Sequence, residues 1–164
     1  MQIVFDASTL ILLAKTELLR EVADEVKIVI PEKVKEECIS KESIDALLIS
    51  TLIKEKRIGV EKAGTPKAVK KIQRDFRIGP GEAEALWLAR RLACPIAVDD
   101  GRTIKACKVI GKRFTTAIHF LLNLTSRNRL DLQMAMTKLE KLSIIGRYKR
   151  EIIEDALKRL KGGI

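Results

Sequence analysis

Asp6, Glu37, Glu82 and the pair Asp99/Asp100 stand at element boundaries rather than on open faces, where carboxylates are free to act together on a ligand. Asp6 ends the apolar run Ile3-Val4-Phe5, and the same arrangement recurs where Ile96-Ala97-Val98 runs into Asp99 and Asp100. An acid that leaves the carboxyl end of a buried strand is aimed at the place where open α/β sheets bind their ligands. The competing reading of Asp6 is a simple helix N-cap, a role that Asp fills well. Carboxylates gathered at one sheet edge repel one another unless something neutralises them. A hard divalent cation, Mg2+ or Mn2+, does so with carboxylate and water ligands and can meet phosphate oxygens at the same time. The chemistry this predicts is metal-assisted hydrolysis of a phosphodiester.

The elements that must position these acids alternate. Ile3 to Phe5 predicts a buried strand, followed by a helix over Leu10 to Ala14. Thr16 predicts the cap of a short helix through Leu18, Leu19 and Val22. Lys27 to Ile30 predicts a second strand, and Pro31 opens a helix to Ile39 that carries Glu36 and Glu37. Lys41 to Lys56 has helical periodicity, with Ile44, Leu47, Leu48 and Leu52 as the expected core face. Arg57 to Val60 predicts an edge strand, and Thr65-Pro66 caps a basic helix from Lys67 to Phe76. After the turn Ile78-Gly79-Pro80-Gly81, Glu82 opens a helix over Ala83 to Leu92. Pro95 to Val98 predicts the strand that delivers the two aspartates, then a helix from Arg102 to Val109 that Gly111 ends. A last strand over Lys112 to Phe114 and a helix over Ala117 to Leu124 follow. Two amphipathic helices close the chain, one with Leu132, Met136, Leu139 and Leu142 on a face, the other with Ile152, Ile153, Ala156, Leu157 and Leu160. Short strands alternating with helices predict a mainly parallel sheet covered on both faces.

The chain has 164 residues, of which 32 are Lys or Arg and 22 Asp or Glu, a net charge of +10. A single domain is expected from that length, with residues 1–124 as its core and 125–164 as a helical extension. A chain this basic predicts a polyanionic partner, and nucleic acid is the first choice. The charge is blocked. Lys62, Lys67, Lys70, Lys71, Arg74 and Arg77 fall within sixteen residues beside one acid, and Arg102, Lys105, Lys108, Lys112 and Arg113 fall between Gly101 and Phe114 beside none. Cys38, Cys94 and Cys107 show no CxxC pairing and read as small buried hydrophobes in a reducing cytosol. No apolar run approaches the roughly 18 residues of a membrane span. A cytoplasmic protein is expected.

The segments VFDASTLILLAK, PEKVKEEC, GPGEAEALWLA and IAVDDGRTIKA followed by GKRFTTAIHFLL resemble the PIN-domain family of ribonucleases, in particular the stand-alone prokaryotic and archaeal branch related to VapC-like toxins. They reach to about Leu122. The resemblance implies a three-layer α/β/α, RNase H-like fold, Mg2+ or Mn2+ as cofactor, and endonucleolytic cleavage of RNA. Carried over by position, it makes Asp6, Glu37, Glu82 and the last-strand acid, Asp99 or Asp100, the catalytic acids, with Asp6, Glu82 and Asp99 or Asp100 on the metal. Ser8 matches a small hydroxyl near the metal, and Glu84 is an alternative to Glu82. Many family members carry Asp at that third position. Lys67, Lys70, Lys71, Arg74, Arg102 and Lys105 are the expected contacts to RNA. An antitoxin protein and a second copy of the chain are further candidate partners; a membrane is not.

The alternative from another class is a PIN-like module that binds nucleic acid or a partner without cleaving, which a missing acid would favour. A phosphoryl-accepting receiver also places acids at strand ends, but Asp6-Ala7-Ser8 lacks the second Asp such a site needs. Gly79-Pro80-Gly81 lacks the Lys-Ser/Thr end of a P-loop and reads as a turn. His119 and Trp87 read as helix-face or core residues.

Overall fold

A computed structural model describes residues 1–162 of the chain. The first strand, β1 (Gln2–Phe5), buries Ile3, Val4 and Phe5 in succession. Neighbouring strand side chains point to opposite faces, so both sides of β1 are covered. With β2 (Lys27–Pro31), β3 (Ile58–Glu61), β4 (Ile96–Ala97) and β5 (Phe114–Thr115) it forms one parallel sheet in the order β3-β2-β1-β4-β5. Val4 stands opposite Val29 on one side and Ile96 on the other, and Phe5 opposite Ala97.

Parallel neighbours require crossovers, and helices supply them. The first connection holds α1 (Ala7–Lys15) and α2 (Leu19–Glu25), and the second α3 (Glu32–Ile39) and α4 (Ile44–Lys54). From β3 the chain returns across the sheet through α5 (Pro66–Phe76) and α6 (Pro80–Arg91), then reaches β5 through α7 (Gly101–Ile110). The helices α8 (Ala117–Ser126), α9 (Leu132–Ile145) and α10 (Arg150–Gly162) complete it. One face is sealed by α8, whose Phe120 stacks on Phe5 with ring centroids 5.3 Å apart. Helix α6 packs on β1, β2 and β4, and the two terminal helices pack against α8 and each other. This is the expected three-layer α/β/α architecture.

The chain winds outward from β1 to β3, returns, and winds the other way through β4 and β5, so the winding reverses between β1 and β4. Asp6 leaves β1, and Asp99 and Asp100 follow β4, at that reversal, where such sheets place their ligand crevice.

Three local expectations are corrected. Thr16 ends α1 instead of opening α2, because its hydroxyl donates back to the Leu12 carbonyl at 2.8 Å. In α4 the core face is Ala46, Ile49 and Leu52, while Ile44 and Leu47 are 88% and 68% exposed. That helix starts at Ser43, whose hydroxyl caps it, and the start sets its phase against the sheet. In α9 the buried face is Ala135, Leu139 and Leu142, with Leu132 at the exposed first turn. The three cysteines are free and buried, as expected, and burial pushes the Cys38 thiol up to about 12. No helix among the described residues is long and apolar enough to cross a membrane.

Candidate active site

Asp6 has no exposed surface, and although it precedes α1 its side chain makes no N-cap hydrogen bond. Instead Oδ2 accepts the Ser8 hydroxyl at 3.0 Å, and Oδ1 is buried with no partner. Ser8 is held in turn by the backbone N–H of Asp99, which donates to its Oγ at 3.1 Å. The tips of β1 and β4 are thereby stitched together. Burial first, then the charge of Glu82, raises the Asp6 carboxyl from 3.8 to about 7; Asp100 adds to the rise, and the Ser8 bond opposes it. A buried polar atom with nothing to bond is costly, and Asp6 Oδ1 shares that state with Trp87 Nε1 and Thr115 Oγ1 but is the one that belongs to a carboxylate at the ligand crevice.

The two aspartates after β4 divide their work. Asp100 caps α7, accepting the Thr103 N–H at 2.9 Å and the Thr103 hydroxyl at 2.8 Å, both on Oδ2. Its Oδ1 has no hydrogen-bond partner among the described residues. Asp99 is engaged on both oxygens. Oδ2 accepts the Thr9 hydroxyl at 2.7 Å and the Ala117 N–H at 3.1 Å, and Oδ1 accepts the Tyr148 hydroxyl at 2.5 Å. Burial still raises the Asp99 carboxyl, while Tyr148, Thr9 and Ala117 pull it down.

The start of α6 brings the other acids. Glu82 lies in its first turn, where the helix dipole favours a carboxylate. Its side chain folds back over Gly79, the residue before the helix. Glu37, from the last turns of α3, lies over Gly81 so closely that a Cβ there would meet both its carboxylate oxygens at 2.5 Å. Burial first, then Glu82, raises the Glu37 carboxyl, with Lys33 and the Gly81 backbone opposing. Glu84, two residues from Glu82 and so about 200° around the helix, faces α3 instead and accepts the Lys33 N–H at 3.1 Å. Glu82 is folded back and Glu37 rests on Gly81, and no three His, Cys, Asp or Glu side chains among the described residues stand close enough to hold a metal as they are. The donor set is nonetheless one of hard oxygens, with Asp6 Oδ1 unsatisfied at its centre. That set fits Mg2+ or Mn2+.

A family model described as a PIN domain matches residues 2–162. The chain belongs to the PIN-domain family. Among curated proteins, none matches the chain. PIN domains are a nuclease fold that usually works with divalent metal ions.

The basic residues of the PIN domain are sorted by the fold. Lys67, Lys70, Gln73 and Arg74 line an open groove beside Ile78, whereas Lys71 turns aside to pair with Asp75 at 2.6 Å. Arg102, in the first turn of α7, donates to the Arg77 carbonyl at 3.3 Å, so the end of α5 adjoins the turn that carries Asp100. Lys105 is exposed one turn further. His119 is exposed on α8 and lines a cavity of about 380 Å3 at the amino ends of the strands, together with Met1, Pro95 and Arg113. That cavity is the better enclosed of the two; Glu25 lines it, whereas Asp6, Glu37, Glu82, Asp99 and Asp100 do not.

Sequence reasoning missed Thr9, Thr103, Gly81 and Tyr148. The spacing Asp100-x-x-Thr103 is a readable cap signal. Nothing local marks Tyr148, 49 positions from the acid it bonds.

Proposed function

We propose that this PIN domain is a metal-dependent endoribonuclease that hydrolyses RNA phosphodiester bonds. The observation that carries the reading is Asp6, a fully buried carboxylate at the switch point of the sheet, with one oxygen unpaired and its proton affinity raised first by burial and then by the charge of Glu82. Asp6 and Asp100, each with an oxygen free of protein hydrogen bonds, and Glu82 are the residues that would hold the cation. Glu37, held over Gly81, completes the acidic wall. Bound there, Mg2+ or Mn2+ supplies Lewis-acid polarisation of a phosphoryl oxygen and a more acidic water. The chain's own part is to place charge. Ser8 keeps Asp6 oriented, Thr103 keeps Asp100 oriented, and Asp99 holds the turn between them. Lys67, Lys70 and Arg74 on α5, with Arg102 and Lys105 on α7, offer cations for the backbone of a strand that leads to the acids.

The test is cleavage of single-stranded and structured RNA, and of matched DNA, with Mn2+ or with chelator. Asp6→Asn and Glu82→Gln are each expected to lower the rate at least a hundredfold, a loss of about 3 kcal/mol in barrier stabilisation. Glu84→Gln is expected to cleave like the parent, since an amide oxygen can still accept from Lys33. If Asp6→Asn cleaves at the parent rate, the acids are not the site and the non-cleaving binding module is the better reading.

A further inference from the structure

The chain of hydrogen bonds through the acid site does not end at the sheet. Tyr148 lies between α9 and α10, and its hydroxyl reaches Asp99 Oδ1 at 2.5 Å. The ring is half-buried against the core and lies back over Gly146, where any Cβ would strike both the ring and the Leu142 carbonyl. Burial, then the Asp99 charge, pushes the phenol far above its usual range, so Tyr148 is a donor throughout the working pH of a protein. Asp99 also receives the hydroxyl of Thr9, a residue with no exposed surface, and the first free N–H of α8. Its own N–H goes to Ser8, and Ser8 goes to Asp6. A continuous path therefore runs from the terminal helices to Asp6 Oδ2, on the carboxylate whose other oxygen is unpaired.

We propose that Tyr148 is a positioning residue of the PIN-domain site, through which the C-terminal helices hold the turn carrying Asp99 and Asp100 in register with Asp6. The proposal rests on the nuclease reading above. Asp99 and Asp100 are consecutive, so the orientation of one peptide sets both. Thr9 and Ala117 fix Asp99 from the β1 side and from α8; Tyr148 approaches the other oxygen and closes the set. Without its hydroxyl, Oδ1 retains only the longer Ala117 contact at 3.3 Å, and the turn gains freedom to rotate away from Ser8. Partners one shell out from a metal typically govern affinity or activity by 10–100-fold. The arm itself is docked separately, by buried Leu139, Leu142, Ala156 and Leu160 and by Lys138, whose ammonium donates to the Thr16 carbonyl at 2.7 Å.

The experiment compares the full-length parent with Tyr148→Phe and Lys138→Ala, reading Mn2+ affinity by calorimetry, KM and kcat on RNA, and melting in chelator. Tyr148→Phe is expected to bind Mn2+ about tenfold more weakly and to lose kcat by a similar factor with KM unchanged. Lys138→Ala is expected to melt earlier with Mn2+ affinity intact, because it loosens the arm without touching Asp99. Parent-like Mn2+ affinity and kcat in Tyr148→Phe overturns the proposal while leaving the nuclease reading standing. A gain in either overturns it too, since Tyr148 would then be masking Asp99. So does an equal loss of affinity in both variants, which would make the role one of general packing. A parent that neither binds Mn2+ nor cleaves RNA removes the nuclease reading and this proposal together.

Discussion

Asp6 sets the terms for the site because its burial and its charge are in conflict. Its carboxyl titrates near 3.8 in an unfolded chain and about 7 in the fold, so between those values the native state binds the extra proton. Stability then falls as pH rises from about 4 to about 7, the reverse of an ordinary salt-bridged aspartate. Asp6→Asn lacks that titration. In chelator, the stability of the variant relative to the parent is expected to rise across this window, by on the order of 4 kcal/mol at most. Denaturant melts at pH 4.5 and pH 8 check it; a pH-independent difference would mean that Asp6 is ionised throughout. Asp99 shows the other outcome for a buried carboxylate, in which donors on both oxygens turn it into a fastener.

At the level of elements, the junction of α3 with α6 decides which acids face the crevice. Gly81 sits at the start of α6 with Glu37 directly above it, and Glu84 from the same helix bonds the first turn of α3. Gly81 is a helical residue, so alanine there is favourable for the backbone by roughly 0.5–1 kcal/mol. Its methyl group must nonetheless displace the Glu37 carboxylate. Gly81→Ala is expected to melt close to the parent while losing RNA cleavage to the same extent as Glu37→Gln, about tenfold or more. Full activity in Gly81→Ala, beside a crippled Glu37→Gln, would show that Glu37 works from a different position. The pairing of Arg127 and Arg129 with Glu25 ties the loop after α8 to α2, but such exposed pairs contribute only about 0–1 kcal/mol each.

For the whole molecule, the charge of +10 matters through its placement. The groove beside α5 collects Lys67, Lys70 and Arg74, while Lys71 is neutralised by Asp75 on another side of the helix. RNA affinity is therefore expected to fall steeply with salt. Lys70→Ala combined with Arg74→Ala should flatten the log–log slope by about 0.7 per lost contact, a total near 1.4. Lys71→Ala should leave the slope unchanged. Filter binding or fluorescence anisotropy between 50 and 300 mM salt measures it, and equal slopes for the parent and the double variant would remove α5 from the interface.

Periodicity, caps and charge blocks are local, and for that reason the succession of strands and most helices along the chain, the boundary positions of the acids and the two basic stretches were legible in the residues, whereas the sheet order β3-β2-β1-β4-β5 was not. The resemblance supplied the family and its expected chemistry. What tertiary structure alone decided is phase and partnership. Ile44 and Leu47 look like core until the Ser43 cap sets the rotation of α4. Glu84 stays an alternative to Glu82 in the sequence, and only the packing of α3 against α6 shows that Glu84 bonds the Lys33 N–H. Asp99 and Asp100 are indistinguishable until Thr9, Ala117 and Tyr148 converge on the first and leave the second an open oxygen. Each of these choices depends on contacts between residues far apart in the chain, and a directional bond to a particular oxygen leaves no trace in the pattern of residues around it.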